Sequence, residues 1–219
     1  MRLLARGRTA DVYLLDHARV LRRYRDGEDA EPEARLMTYL GGHGYPVPRV
    51  FDATGSDLVM ERLAGPTMLE DALSTPEAVY RHGETLAELH NRLHAVRAPT
   101  WLPRHDDAGR VLHLDFHPGN VVLTHDGPVV IDWGNAMAGD PRLDVADTSV
   151  LLRAATVELP GVDPAAFAAL RKRLLDDYLG EIAHHPTAML ATAIRRRVDD
   201  PNWTIDERSE LRRWLSTLN

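Results

Sequence analysis

The chain has 219 residues, 44% of them hydrophobic, and a formal net charge of −7 at pH 7. The length predicts one domain, no apolar run reaches the length of a membrane span, and no basic face is large enough for a nucleic-acid partner. Cysteine is absent, which excludes disulfides, and the early charges in residues 1–7 argue against a signal peptide, so we expect a cytoplasmic protein.

The first 65 residues are predicted to form a small lobe of strands with one helix. Residue patterns predict strands at residues 3–5, 11–15 and 19–24, followed by a helix over residues 28–40. Glycines and prolines in residues 41–48 end this helix, and residues 49–52 begin another strand. Residues 58–65 complete the lobe as a last strand and an extended connector. We place the lobe boundary near Gly65 and Pro66, which divides the domain into residues 1–65 and 66–219.

The third predicted strand is rich in arginine. Side-chain alternation puts Val20, Arg22 and Tyr24 on one face and Leu21 and Arg23 on the other. The residues alone leave two interpretations open. Either the face with Arg22 lines a cleft, or the strand is a solvated basic one.

The remainder of the chain is predicted to be mainly helical. Helices are predicted over residues 76–95, 144–155, 164–182 and 186–197. A capping box of Thr204 and Glu207 predicts the start of a final helix. Its residues expected to face inward are Leu211, Trp214, Leu215 and Leu218.

Two histidines stand on the helix predicted over residues 76–95. His90 and His94 are four residues apart, which is a spacing that two ligands of one metal ion can have. The sequence offers no third ligand nearby. We therefore favour a structural interpretation, in which His90 packs on the core and His94 lies at the helix end.

Residues 113–120, H-L-D-F-H-P-G-N, contain the pattern H-x-D-x-x-x-x-N. A predicted hairpin follows, with strands at residues 121–123 and 129–131 and a turn at residues 125–128, and Asp132 comes directly after it. Phosphoryl transfer needs one carboxylate for the hydroxyl and an amide with a second carboxylate to hold a divalent metal ion. Asp115, Asn120 and Asp132 match these three requirements.

Three motifs carry a family resemblance. The loop H-L-D-F-H-P-G-N, the sequence I-D-W at residues 131–133 and the sequence G-D-P-R-L-D at residues 139–144 occur in this order. Together they resemble the aminoglycoside phosphotransferase and choline kinase-like family of small-molecule kinases. The resemblance implies an α+β, protein-kinase-like fold of two lobes, with a small antiparallel sheet and one helix before a mainly helical lobe that carries the catalytic hairpin. It implies ATP- or GTP-dependent transfer of a phosphoryl group, with Mg²⁺, to a hydroxyl group of a small molecule.

The resemblance also assigns phosphate-binding roles in the first lobe. Of the three glycines of the kinase phosphate loop, this chain retains only Gly7. Arg22 takes the place of the kinase lysine that contacts phosphate, in a chain whose single lysine is Lys172. Glu33 is the expected ion-pair partner of Arg22, and Glu31 is the alternative.

The connector of the first lobe is expected to bind adenine. By resemblance, the carbonyl group of Glu61 and the amide group of Leu63 contact the edge of the base, and Met60 lies beside the ring. These are mainly backbone roles, so the side-chain types do not test them.

The second lobe is expected to hold the catalytic and acceptor groups. The resemblance implies that Asp115 orients the acceptor hydroxyl and that Asn120 and Asp132 bind Mg²⁺. His113 and Asp144 are expected to support the loop, and Asp144 also fits a helix N-cap. The weaker candidates for contact with an aminoglycoside-, choline- or sugar-like acceptor are Asp147, Asp176, Asp177 and Glu181, and the last three also fit a solvated helix face.

Two rival functions remain open. A nucleotide-binding pseudoenzyme with a regulatory role is favoured by the altered glycine loop and by Arg22. A protein kinase ranks lower, because residues 134–138 leave little room for an activation segment. The acceptor, the choice between ATP and GTP, and the choice between monomer and homodimer stay open.

Overall fold

The computed structural model describes residues 1–7, 9–75, 79–156 and 162–218. Its contacts divide the chain into two compact units. The first consists of Met1–Met68 and Gly119–Gly134, and the second of Leu69–Pro118 and Asn135–Asn219. A five-stranded antiparallel sheet is followed by a mostly helical region, which confirms the predicted α+β architecture. The lobe boundary near Gly65 stays a prediction.

An antiparallel sheet with the strand order β1-β2-β3-β5-β4 forms the framework of the first unit. Its strands are β1 (Arg2–Arg6), β2 (Ala10–Leu14), β3 (Arg19–Tyr24), β4 (Val50–Thr54) and β5 (Asp57–Glu61). In the central strand β3, Val20, Arg22 and Tyr24 are buried and Arg23 is exposed. The predicted alternation of β3 is therefore confirmed for the face that contains Arg22.

Helix α1 (Glu31–Gly42) belongs to the first unit and begins three residues later than predicted. The difference follows from Pro32. In a helix that started at Glu28, residue 32 would have to donate its amide hydrogen to the carbonyl group of Glu28, and proline has none. With Glu31 as the first residue, Pro32 falls in the first turn, where no such bond is needed.

A hairpin of β7 (Val121–Thr124) and β8 (Gly127–Val130) completes the first unit. Its turn is shorter than predicted, since the second strand already begins at Gly127. The hairpin is attached to the connector, where the amide of Leu123 donates to the carbonyl of Pro66 over 2.9 Å. Gly65 has φ +145°, and a Cβ atom there would lie 2.0 Å from the carbonyl oxygen of Leu123, so this close approach requires glycine.

Helices dominate the second unit. They are α2 (Met68–Ser74), α3 (Val79–Ala95), α4 (Pro141–Ala154), α5 (Pro164–Glu181), α6 (Leu190–Asp199) and α7 (Ile205–Ser216). The predicted start of α3, at residues 76–78, lies outside the described residues. Leu86, Leu89, His90 and Leu93 are buried on α3, which agrees with the predicted packing of His90 on the core. Among the helices that the structure describes, none is long and apolar enough to cross a membrane.

Several local features of the second unit differ from the predictions, and one of them is that α6, predicted over residues 186–197, covers Leu190–Asp199. Helix α4 begins at Pro141 with Asp140 as its N-cap, so Asp144 lies in the first turn and is not the cap. The strands β6 (Arg110–Leu112) and β9 (Met137–Gly139) pair with each other, but they are too short to be recognised by alternation. Leu218 is exposed because α7 ends at Ser216, whereas the predicted capping box of Thr204 and Glu207 is present.

Candidate functional site

The predicted site residues fall into two groups, and each unit carries one of them. The first unit holds Gly7, Arg22, Glu33, Met60, Glu61, Leu63, Asn120 and Asp132, and the second holds His113, Asp115, Asp144, Asp147, Asp176, Asp177 and Glu181. Each group is described within its own unit.

Arg22 lies at the centre of a charged cluster in the first unit. Its Nη1 donates to Oε1 of Glu33 over 3.2 Å, and its Nη2 donates to Oδ1 of Asp132 over 2.6 Å. Burial opposes the positive charge, but Glu33 and Asp132 outweigh it and raise the pKa of the guanidinium. Arg22 is therefore a buried cation between two carboxylates, and the competing residue Glu31 is exposed.

Glu33 is fixed by donors from three parts of the chain. Besides Arg22, the amide of Trp133 donates to its Oε1 over 2.8 Å, and the hydroxyl of Tyr24 donates to its Oε2. Burial is the main reason that the pKa of Tyr24 is raised, so this hydroxyl keeps its proton. Glu33 thus connects β3 to the chain that follows the hairpin.

Asp132 has a left-handed backbone with φ +68°, which is uncommon for a residue other than glycine. The hairpin places it beside Asn120, because the amide of Ile131 donates to the carbonyl of Asn120 over 3.0 Å. The side chain of Asp132 is 39% exposed although it binds Arg22. A partly accessible carboxylate and a carboxamide side chain are oxygen donors of the type that a hard divalent cation prefers. Their role as metal ligands stays a prediction.

The predicted adenine-binding residues belong to β5 and to the connector that follows it. Met60 is half-buried and pairs with Val20 across the ladder of β3 and β5. The amide of Glu61 donates to the carbonyl of Arg49 over 2.8 Å, and Leu63 is half-buried just beyond the strand. The pairing of Val20 with Met60 supplies an apolar pair of the kind that packs on a base. The binding of adenine by these residues stays a prediction.

Gly7 closes the turn between β1 and β2. Its amide donates to the carbonyl of Ala10 over 2.8 Å, and a Cβ atom at this position would approach that oxygen to 2.9 Å. Glycine is therefore required by the turn itself. Contact between this turn and phosphate remains a prediction.

In the second unit, the loop before Asp115 is held by a buried carboxylate. Asp144 accepts the amide of His113 at Oδ2 over 2.8 Å and the amide of Leu114 at Oδ1 over 2.7 Å. Leu114 has a left-handed backbone with φ 59°. Asp144 therefore braces a strained segment immediately before Asp115.

His90 and His94 reach the same carboxylate from α3. Their Nε2 atoms lie 2.8 and 3.2 Å from Oδ2 of Asp144, and Nδ1 of His90 lies 2.6 Å from the hydroxyl of Tyr178. The third possible metal ligand, which the sequence did not offer near the two histidines, is thus Asp144 of α4. One possible ligand atom of each of the three side chains lies within 4.8 Å of the other two. Asp144 also serves the two loop amides, so we interpret the group as a hydrogen-bonded brace.

The pKa shifts of Asp144 and His94 agree with a brace that contains an ionised carboxylate and a neutral His94. Burial opposes ionisation of Asp144, but the interactions with His90 and His94 hold the pKa of this carboxyl well below its usual range. Burial also lowers the pKa of His94 to about 4. His113 contributes its amide to Asp144, and its Nδ1 lies 3.3 Å from the amide of Asp115. The predicted supporting positions of His113 and Asp144 are consistent with these contacts.

Asp115 is paired with an arginine that the sequence analysis did not identify. Nη2 of Arg197, on α6, lies 3.1 Å from Oδ1 of Asp115, and Nε2 of His117 lies 3.8 Å from Oδ2. Burial opposes the ionisation of Asp115, but His117, Arg197 and His113 outweigh it and lower its pKa. Arg197 is 82 residues away in the sequence. Its spacing in the sequence could have indicated its burial, because Arg197 follows Ala193 and Ile194 by one helical turn and shares their buried face of α6.

The four residues predicted to contact the acceptor differ in burial: Asp147 is buried, whereas the other three lie on α5. Asp147 is fully buried and binds Arg197, so we no longer assign it to the acceptor. On α5, Asp176 pairs with Lys172 over 2.6 Å and Asp177 pairs with Arg173 over 2.7 Å. These i,i+4 pairs are typical of a solvated helix face. The side chain of Glu181 is exposed at the end of the same helix.

Comparisons with known proteins agree on the fold. An aminoglycoside phosphotransferase, APH(4)-Ia, has a TM-score of 0.64 and 17% identity, covering 99% of this chain and 91% of its own. A choline/ethanolamine kinase family protein from Mesorhizobium loti has a TM-score of 0.63 and 17% identity, with coverages of 100% and 88%. APH(2")-IIa, in a ternary complex with streptomycin and ATP, has a TM-score of 0.61 and 16% identity, with coverages of 97% and 90%.

Further matched structures contain ADP or GDP. No protein of curated function matches the sequence significantly. At these identities the structural likeness concerns the fold, and it confirms the predicted protein-kinase-like architecture. The model of the phosphotransferase enzyme family (APH) matches residues 1–108 and 97–190. The chain therefore belongs to the phosphotransferase enzyme family.

Proposed function

We propose that this protein transfers a phosphoryl group from ATP or GTP to a hydroxyl group of a small molecule. The observation that carries the proposal is the way in which Asp115 is held. Its Oδ1 accepts a hydrogen bond from Arg197 over 3.1 Å, and it follows a residue with a left-handed backbone that Asp144 braces. Arg197 and the neighbouring histidines also lower the pKa of its carboxyl. A fixed carboxylate is what a kinase needs in order to orient an acceptor hydroxyl.

Asp115 accepts a hydrogen bond from the acceptor hydroxyl and takes its proton as the phosphoryl group is transferred. The lowered pKa of Asp115 makes it a weak base. This suits a loose transition state, in which the proton leaves late and the position of the hydroxyl matters more than base strength. Asp115 is then a catalytic residue mainly through orientation.

Arg22 contacts the phosphates of the nucleotide, and Glu33 holds Arg22 in place. The contacts of Glu33 with Arg22, Tyr24 and Trp133 support this assignment, because they leave the guanidinium little freedom. Arginine presents a planar fork that suits phosphate oxygens. The base is expected to lie over Val20 with Met60 beside its ring, with the backbone of Glu61 and Leu63 at its edge and the turn at Gly7 near the phosphates.

Asn120 and Asp132 are the residues that would hold Mg²⁺. The accessible carboxylate of Asp132 and the adjacent amide residue fit this ion. When bound, the ion neutralises phosphate charge. Arg22 contacts Oδ1 of Asp132 over 2.6 Å, so Asp132 would hold the ion while it is also the counter-ion of Arg22.

Two observations support a small molecule as the acceptor: the family to which the chain belongs, and the short segment between Trp133 and β9. Residues 134–136 are all that separate Trp133 from β9, which leaves no activation segment of the kind that protein kinases use. Similar structures were solved with streptomycin, gentamicin or kanamycin. For this chain we propose an aminoglycoside-, choline- or sugar-like hydroxyl compound as the acceptor class.

A nucleotide-binding regulator is the second candidate function. It is favoured by the close contact between Arg22 and Asp132, which engages the predicted metal ligand, and by the single glycine in the turn at Gly7. Such a protein would bind nucleotide without transferring phosphate.

Calorimetry with a nonhydrolysable ATP analogue tests the nucleotide and metal part of the proposal. The wild type should bind the analogue more tightly with Mg²⁺ than without it, and Asp132→Ala should lose this difference. Asp126→Ala is the matched control, because Asp126 is an exposed carboxylate on the turn of the same hairpin. An affinity that is independent of Mg²⁺ in the wild type, or unchanged by Asp132→Ala, would count against the proposal.

A further inference from the structure

Arg197 is a buried cation at the end of α6 that contacts several groups of the second unit. The exposed fraction of its side chain is 8%. Its Nη2 donates to the carbonyl of Leu114 over 2.8 Å and to Oδ1 of Asp115 over 3.1 Å. The same nitrogen binds Oδ2 of Asp147, and Nε donates to Oδ1 of Asp147 over 3.1 Å. Nη1 lies 3.5 Å from Oδ2 of Asp200.

The backbone of Leu114 is held on both sides of its Cα atom. Its amide is bound by Asp144, and its carbonyl is bound by Arg197. Leucine strongly disfavours a left-handed backbone, so such a conformation persists only when the surroundings impose it. The two buried charged groups supply that constraint at the residue immediately before Asp115.

We propose that Arg197 is the positioning residue for Asp115, and that Asp147 is the buried counter-ion that holds Arg197 in place. The inference rests on the proposed function, because it assigns to Arg197 the orientation of the catalytic carboxylate. A single guanidinium nitrogen contacts both the carbonyl of Leu114 and the carboxylate of Asp115, so it fixes the backbone and the side chain together.

The negative charge of Asp147 holds the guanidinium of Arg197 in place. It offers both oxygens to Arg197 in a bidentate pair, which orients a guanidinium well. Burial raises the pKa of Asp147 to about 6, whereas the pKa of Asp115 is lowered. Among the described residues, the other charged or titratable groups near the pair are Asp144 on α4, Arg196 at 4.0 Å from Asp147, Asp200 after α6, and His113 and His117 on the loop.

The test separates positioning from stability by using two variants. Arg197→Met removes the guanidinium and keeps an apolar chain of similar length, but it leaves Asp147 buried without its partner and should lower the melting temperature. Arg197→Met combined with Asp147→Asn removes both charges and should recover much of that loss, because a buried ion pair can be replaced by neutral groups at little cost. The control is Arg195→Met, since Arg195 is exposed on the same helix.

The readouts are the melting temperature and the Mg²⁺-dependent hydrolysis of ATP, with water as the acceptor. We expect both Arg197 variants to lower kcat by about 10- to 100-fold with little change in KM for ATP, because misplacement of a reacting group has effects of this size. Arg197→Lys should keep part of the activity, since it retains the charge without the fork. Arg195→Met should behave like the wild type.

The outcomes distinguish the inference from the proposed function. A double variant that regains both stability and the wild-type kcat would show that Arg197 is only structural and would overturn the inference. A single variant with the wild-type kcat would do the same. If the wild type shows no hydrolysis that depends on Asp115, the proposed function itself fails, whatever the behaviour of Arg197.

Discussion

Arg22 is the residue at which this chain departs most clearly from the kinase pattern, because kinases use lysine at the corresponding place. Arg22 is buried between Glu33 and Asp132, whereas the adjacent Arg23 forms an exposed pair with Asp57. The two arginines therefore differ in surroundings although they share a strand. This contrast supplies a matched pair of variants.

Arg22→Ala should raise KM for ATP and lower kcat, because it removes a phosphate contact and leaves Glu33 without its cationic partner. The expected loss in transition-state stabilisation is about 1.5–3 kcal/mol for a charge-assisted bond. Arg23→Ala should do little, since exposed ion pairs contribute little. Steady-state kinetics of ATP hydrolysis measure both variants. A damaging Arg23→Ala together with a silent Arg22→Ala would contradict the assignment of the strand face.

Candidate residues within a short motif could be proposed from the sequence, whereas contacts supplied from a distance could not. Asp115, Asn120 and Asp132 were proposed from spacing and chemistry within one loop and hairpin, and their roles stay predictions. Arg197 was missed because a charge on an amphipathic helix shows no partner until α6 is packed on the rest of its unit. The burial of Asp147 and its pairing with Arg197, 50 residues away, could not be predicted for the same reason.

At the scale of elements, α3 and α4 are joined by the buried group of His90, His94 and Asp144. The burial of His90 on α3 was predicted, but the two histidines had no third polar partner nearby in the sequence. That partner, Asp144, is 50 residues from His94 and meets it only in the folded chain. Contacts between helices that are far apart in the sequence are set by tertiary packing, so neither helix shows them in its own pattern.

The brace predicts a specific loss of stability in mild acid. Burial lowers the pKa of His94 from 6.5 to about 4, so between these values the unfolded chain takes up a proton that the folded protein does not. The contribution of His94 to the free energy of unfolding is thus complete above pH 6.5 and falls as the pH approaches 4, by about 3 kcal/mol in total. Asp144, whose pKa is lowered, adds a further loss only below its ordinary value of 3.8.

Denaturant unfolding at a series of pH values between 7.5 and 4.5 measures this effect. His94→Gln should show a smaller decrease in the free energy of unfolding over this range than the wild type. His125→Gln, at an exposed position on the hairpin turn, serves as the control and should follow the wild type. Equal pH dependence in the wild type and His94→Gln would show that His94 does not titrate as described.

At the scale of the whole molecule, the order of elements was predictable and the short pairings were not. The strands of the first unit and the helices of the second have clear periodic patterns, and the motifs at residues 113–120 and 131–133 connected them to a known architecture. The pairing of β6 with β9 joins two three-residue segments, too short for any pattern to indicate. Two of the candidate acceptor contacts on α5, Asp176 and Asp177, pair with basic residues of their own helix, and such pairs are formed only by the folded helix.

The most direct test of the proposed function is the transfer of labelled phosphate from the γ position of ATP or GTP, with Mg²⁺, to pooled amino alcohols, sugars and aminoglycosides. We expect label in a small molecule. We also expect a rate for Asp115→Asn that is lower by about a hundredfold or more, with nucleotide affinity retained. Label found only in a protein fraction, or nucleotide bound by the wild type with no label transferred to any acceptor or to water, would contradict the proposed function.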